Sequence, residues 1–293
     1  MTEISAQRVR ELREKTGVGF MECKKALVET AGNLEAALVY LEKAGLAKAD
    51  RKSARVAAEG RVEMVITDGQ GGALVEINSE TDFVAASDDF RGFAQNVASL
   101  VAARNPADID ELLQMTGPSG RSLDEERKSL MLRLGENVLV RRFRKFVTHR
   151  NLAGYIHQGG QIGVLVELEG GNAEVARNMA LQITAGAPRW LEPSRVDPEW
   201  LVKQREIAEH QARESGKPPA IMQKMVEGRL KKLVEEFSLT HQAYIKEPDI
   251  NVMTYLSRSG ATVIDYVRYA VGEGIEKGHK DFAEEVMAQV NQR

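Results

Sequence analysis

Gly71-Gly-Ala-Leu-Val-Glu-Ile-Asn78 and Gln161-Ile-Gly-Val-Leu-Val-Glu-Leu168 are two versions of one strand. Each leads into a helix-like run that closes on a proline. The first run is Asn96-Val-Ala-Ser-Leu-Val-Ala-Ala-Arg-Asn-Pro106 and the second is Asn178-Met-Ala-Leu-Gln-Ile-Thr-Ala-Gly-Ala-Pro188. Gly72 and Gly163 correspond at an offset of 91, and Pro106 and Pro188 at an offset of 82. The first copy therefore holds nine more residues, read here as lying between its strand and its helix. That excess includes Ser79-Glu-Thr-Asp-Phe-Val84, a polar connection carrying a large aromatic. Loops held by a rigid scaffold carry function, so this connection is the first candidate site. Phe83 either projects from it or tucks beneath it, and Asp82 is placed to cap the helix that follows.

Working outward, alternation at Val62, Met64 and Ile66 and the turn Asp68-Gly-Gln-Gly71 predict a hairpin over residues 61–78. Helices are expected over 87–104, 108–115 and 122–134. Strands are expected over 138–147, 154–157 and 162–168, with a covering helix over 172–187. Strands followed by helices give an α+β layered architecture, with two related subdomains at 56–137 and at 138–192 plus 238–270. The strand Thr262–Tyr269 returns to the second sheet.

Upstream, the first 45 residues read as three short helices within a domain ending near residue 55. Leu34, Ala37, Leu38 and Leu41 share one helical face. Gly32 is placed to end one helix and Asn33 to cap the next. A core this small leans on a partner. The charged run from Lys48 is either helix or linker. In Gly17-Val-Gly-Phe-Met21, the apolar Phe20 and Met21 either staple the second helix or form a patch rimmed by Arg13 and Lys24. Residues 193–237 are helix formers broken at Ser215-Gly-Lys-Pro-Pro219, a helical hairpin with Leu201, Ile207, Ile221, Met225, Leu230, Leu233 and Val234 as its stripe. It is either an association arm or a pair packed in the core. Residues 271–293 form a C-terminal module with a helix over Asp281–Val290.

The chain has 293 residues, a formal net charge of −3 and 28% charged residues. That balance argues against a general nucleic-acid binder, although Arg141-Arg-Phe-Arg-Lys145 is a local basic run. The single cysteine, Cys23, excludes an internal disulfide and reads as a small buried hydrophobe. No apolar run approaches the ~20 residues that span a bilayer, and Met1–Arg8 has no signal-peptide core, so a cytoplasmic location is expected. Five scattered histidines, no cysteine pair and no phosphate loop leave no metal or nucleotide motif. No cofactor and no enzymatic activity are expected.

Arg13-Glu-Lys-Thr-Gly-Val-Gly-Phe-Met-Glu-Cys-Lys-Lys-Ala-Leu27 closely resembles a signature of the bacterial elongation factor Ts family. So do Asn78–Val84, Gly135-Glu-Asn137, Ile162–Val166, Met225–Arg229 and Val271–Lys277, in family order from one end to the other. The resemblance implies a guanine-nucleotide exchange factor for elongation factor Tu. Such a factor binds the GDP form, disturbs its Mg²⁺ and phosphate site, promotes GDP release and holds the empty GTPase until GTP binds. It also implies that the N-terminal helices are like the ubiquitin-associated fold. Thr81, Asp82, Phe83 and Val84 would dislodge the Mg²⁺ of the partner. Arg13, Phe20, Met21, Lys24, Gly135 and His157 would bind that partner. Phe20 and Val18 depart from the commoner family residues but keep apolar bulk. Residues 197–237 are read as the route to a homodimer or a two-to-two complex, with neither membrane nor direct nucleic-acid contact. The alternative reading is a ribosome- or RNA-binding module using Arg141–Lys145.

Overall fold

The computed structural model describes residues 4–67 and 71–276, with residues 46–51 by backbone alone. The expected turn at residues 68–70, His279 and the helix expected over Asp281–Val290 lie outside the described residues. Three helices open the chain: α1 (Ala6–Thr16), α2 (Phe20–Glu29) and α3 (Leu34–Lys52). Ser5 caps α1 by accepting from the Arg8 amide, and Gly17 ends it at φ +68°, a backbone state that glycine enters without strain. Asn33 caps α3 through its Oδ1. The charged connector continues this helix as far as Lys52. Val9, Leu12, Val18, Cys23, Ala26, Leu27, Ala37 and Leu41 form the small core, and Leu132 from a later helix packs against it. The support that so small a core needs comes from the same chain.

The next elements are β1 (Glu59–Thr67), β2 (Gly71–Ser79), α4 (Asp82–Ala85), α5 (Asp88–Arg104), α6 (Ile109–Gln114), α7 (Leu123–Leu134) and β3 (Val138–Phe146). The second unit contributes β4 (Asn151–His157), β5 (Ile162–Gly170) and α8 (Ala173–Gly186). The arm is α9 (Pro198–Glu214) and α10 (Pro219–Phe237), followed by β6 (Ala243–Tyr244), β7 (Glu247–Asn251), α11 (Val252–Arg258) and β8 (Ala261–Ala270). The strands form two antiparallel three-stranded sheets ordered β1-β2-β3 and β4-β5-β8, with a short β6-β7 ribbon. As expected, β8 returns to the second sheet. The strand at 138–146 does not open the second unit, as its sequence position suggested. It pairs with β2 and completes the first sheet.

Strand alternation sorts the layers. Ala73, Val75 and Ile77 face α5 and α7, while Leu74 and Val62 face Leu165 and Tyr269 of the other sheet. Val164, Val166 and Leu168 face α8. The two sheets thus pack on each other and carry helices on their outer faces. This explains why all nine residues of β2 are buried. Gly163 and Gly154 allow that contact, since a Cβ on either would strike Val62 or Met64. Each central strand carries one buried carboxylate at a bulge, Glu76 and Glu167, again 91 positions apart. Glu76 accepts from Arg141 at 2.8 Å, Arg142 at 2.6 Å and the Gly272 amide at 2.9 Å. That clasp ties residues 270–273 back to the first sheet.

The arm helices pack antiparallel on each other through Ala208, Ala212, Val226 and Leu230, with Met222 beside them. Trp190, Trp200 and Phe237 stack edge-to-face at its base. The expected stripe is partly wrong: Ile207, Ile221 and Met225 are exposed. The seam is built on alanines, whose small side chains let the helices approach closely.

Candidate functional site

The repeat locates the site. β2 and β5 are both nine residues long, and both helices end in a left-handed cap, at Asn105 and Ala187. Between strand and helix the first copy has eight residues, 80–87, and the second has two, 171 and 172. The helices themselves differ by three residues, 17 against 14. Six of the nine extra residues therefore build the turn, and three lengthen α5.

Those turn residues fold into α4, a single helical turn. Its cap is Thr81 rather than Asp82: the Thr81 hydroxyl accepts from the Val84 amide at 3.4 Å. Asp82 instead occupies the first helical position and is exposed. Val84 and Ala85 turn inward against the core of the first sheet. Phe83 turns outward and is 84% exposed. Ser87 closes the turn, donating to the Val84 carbonyl at 2.7 Å and accepting from the Phe90 amide at 3.3 Å to start α5. A large ring left in water on a turn capped at both ends is a feature that folding alone does not reward.

A second carboxylate layer holds this turn. Glu136, just after α7, accepts from the Thr81 amide at 3.0 Å and the Thr81 hydroxyl at 2.6 Å. Glu80 reciprocates by accepting from the Asn137 amide at 2.7 Å. Asn137 donates to the carbonyls of Ser53 and Arg55, and Lys52 donates to that of Gly135 at 2.6 Å. Gly135 itself ends α7 at φ +81°. Residues 135–137 thus join the end of α3 to the turn at residues 80–87. Neither Glu80 nor Glu136 stood out as a site residue in the sequence, because their partners are 57 and 55 positions away.

In the N-terminal module, Val18 is buried and staples α2, while Phe20 and Met21 are exposed, Met21 at 70%. Arg13 and Lys24 are exposed as well. Phe20 and Met21 therefore do not staple α2; they stand exposed beside Arg13 and Lys24. Cys23 is fully buried, and burial pushes its thiol up despite the hydrogen bond with Thr16 and the nearby Arg13 charge. Arg133, on α7, bridges this module and the start of α5: it pairs with Asp89 at 3.4 Å, and its Cδ would lie 3.0 Å from a Cβ on Gly17. His157 ends β4 on the second sheet, half-buried, with its ring 3.3 Å from the Tyr155 hydroxyl.

The basic run is occupied internally. Arg141 and Arg142 pair with Glu76, and Arg144 with Asp265 at 2.8 Å. The guanidinium of Arg142 also lies over the Tyr269 ring. Among the described residues, no group of three or more His, Cys, Asp or Glu side chains is placed to hold a metal ion, and no helix is long and apolar enough to cross a membrane.

A family model described as elongation factor TS matches residues 80–273. The chain belongs to the elongation factor Ts family. Its relatives named elongation factor Ts include the protein of Methylococcus capsulatus, 48% identical over 289 residues and covering 98% of both chains. The proteins of Alkalilimnicola ehrlichii and Halorhodospira halophila are 50% and 48% identical over 288 residues, with the same coverage. The elongation factor Ts match begins at Glu80, the first residue after β2. It ends at Glu273, whose carbonyl accepts from Arg141.

Proposed function

We propose that this chain is the guanine-nucleotide exchange factor of elongation factor Tu, and that Phe83 is its working wedge. Family membership supports the role in translation elongation. The observation that carries the mechanism is the outward Phe83 ring on a turn braced by Thr81, Ser87 and Glu136. An exchange factor forms no covalent bond. It binds the nucleotide-free GTPase more tightly than the loaded one, and that coupling is reciprocal. A ~10⁴-fold change needs about 5.5 kcal/mol of differential stabilisation. Burying a phenylalanine covers about 150–250 Å², which at ~25 cal/mol/Å² is an upper bound of about 4–6 kcal/mol. One ring is therefore enough for most of the effect, provided its pocket opens only when the Mg²⁺ and phosphate site is disturbed.

Thr81, Asp82 and Val84 hold that ring and shape its approach. Arg13, Phe20, Met21 and Lys24 form the anchoring patch on the N-terminal module, with Gly135 and His157 as further contacts. In this reading the arm serves self-association, supported by the exposed Val202, Ile207, Ile221 and Met225. Release of fluorescent GDP from elongation factor Tu, followed by stopped flow with wild-type and Phe83→Ala factor, tests the central step.

A further inference from the structure

The wedge is only useful if its ring is presented in one place. α4 is four residues long, and a helix that short has almost no stability of its own. Something outside it must fix it. Val84 and Ala85 seat it on the first-sheet core, and Thr81 fixes its start: the Thr81 hydroxyl caps the turn at Val84, and both its amide and its hydroxyl reach the same carboxylate, Glu136. The hydroxyl donates to Glu136 at 2.6 Å while its lone pair receives the Val84 amide. The proton is thus committed to the carboxylate and the acceptor to the cap. A bidentate, charge-assisted pair of this kind sets direction as well as distance. Glu136 is in turn fixed because its neighbour Asn137 donates to Glu80, Ser53 and Arg55.

We infer that Glu136 is a positioning residue for nucleotide exchange, acting on the partner only through Thr81 and the Phe83 ring that Thr81 orients. The inference rests on the exchange reading above. Both Glu136 oxygens are engaged by Thr81, so in this reading its loss loosens the turn that carries Phe83 while leaving the anchoring patch on the N-terminal module in place. Glu136→Gln keeps the size of the side chain but places an amide donor where one of the two Thr81 donors must be received. The plateau rate of GDP release at saturating factor is expected to fall about tenfold, as for the loss of one hydrogen bond to a charged group. The half-saturating concentration is expected to stay unchanged.

The deciding experiment is a double-mutant cycle read by stopped-flow release of fluorescent GDP from elongation factor Tu. Glu136→Gln is expected to lower the plateau rate in the wild-type background and to have no further effect in the Phe83→Ala background. Amide exchange of residues 80–87, read by mass spectrometry on the free factor, is expected to accelerate in Glu136→Gln while the melting temperature stays close to wild type. Equal losses in both backgrounds, or unchanged amide exchange, would overturn the assignment. If Phe83→Ala alone leaves the rate intact, the exchange mechanism fails instead, and the amide exchange of residues 80–87 still decides whether Glu136 holds the turn.

Discussion

Replacing Glu76 by Gln should destabilise the fold far more than the same change at its repeat counterpart, Glu167. The Glu76 carboxylate is fully buried and receives four donors: Arg141, Arg142, the Gly272 amide and the Asn78 amide group. Breaking a buried ion pair costs about 3–5 kcal/mol because charge is left unpaired. Here the stranded arginines are 20% and 31% exposed, so water reaches them and the low end, about 3 kcal/mol, applies. Glu167 receives the Thr148 hydroxyl and Arg150, which is half exposed. Its loss should cost about 1 kcal/mol, the scale of a partly exposed pair with one hydrogen bond. At about 2 °C per kcal/mol for a chain of this size, Glu76→Gln should lower the melting temperature by about 6 °C and Glu167→Gln by about 2 °C. Calorimetry and urea titration read both. The Gly272 amide should also lose hydrogen-exchange protection in Glu76→Gln alone. Equal effects of the two substitutions, or retained protection at Gly272, would refute the view that Glu76 clasps the C-terminal segment to the first sheet.

Two further outcomes follow from the same geometry. Burial pushes the Asp124 carboxyl up, but hydrogen bonds and charge from Arg127 and Lys128 outweigh it and hold the group below its ordinary value. A lowered folded-state value stabilises above the unfolded range, near ~3.9, and that contribution is lost as pH falls through the folded value. Asp124→Asn should therefore melt earlier than wild type at neutral pH, with the gap closing on acidification below pH ~4; a gap that persists in acid would contradict the pairing. In the arm, Ile207→Ser combined with Ile221→Ser should lower the mass seen by light scattering and leave GDP release intact, because both side chains are exposed and lie outside the packed seam. Lost exchange at constant mass would reverse that assignment.

Much of this fold is legible in the chain because the repeat is. The two central strands, their helices and the left-handed caps before Pro106 and Pro188 follow one pattern, and most of the surplus residues mark the turn at 80–87. The errors have physical causes. Val138–Phe146 alternates like any sheet edge, and nothing local says which sheet it joins; that is decided by pairing with β2. The arm seam departs from the expected stripe because hydrophobicity favours Ile207 and Met225 over Ala208 and Ala212, whereas close helix packing favours small side chains. The ribbon and α11 leave little periodic signal in the sequence because each is short and β7 contains Pro248. Glu136 lies inside the quoted Gly135-Glu-Asn137 motif, but nothing local in the sequence assigns it a role. A carboxylate on one turn capping a threonine on another leaves no periodic trace, so only the folded chain brings them together.

The most direct measurement is the plateau rate of GDP release from elongation factor Tu at saturating factor, wild type against Phe83→Ala. A wedge that supplies most of the ~5.5 kcal/mol requires at least a hundredfold fall in that plateau, with complex formation largely kept. An unchanged plateau would show that the exposed ring does not drive release.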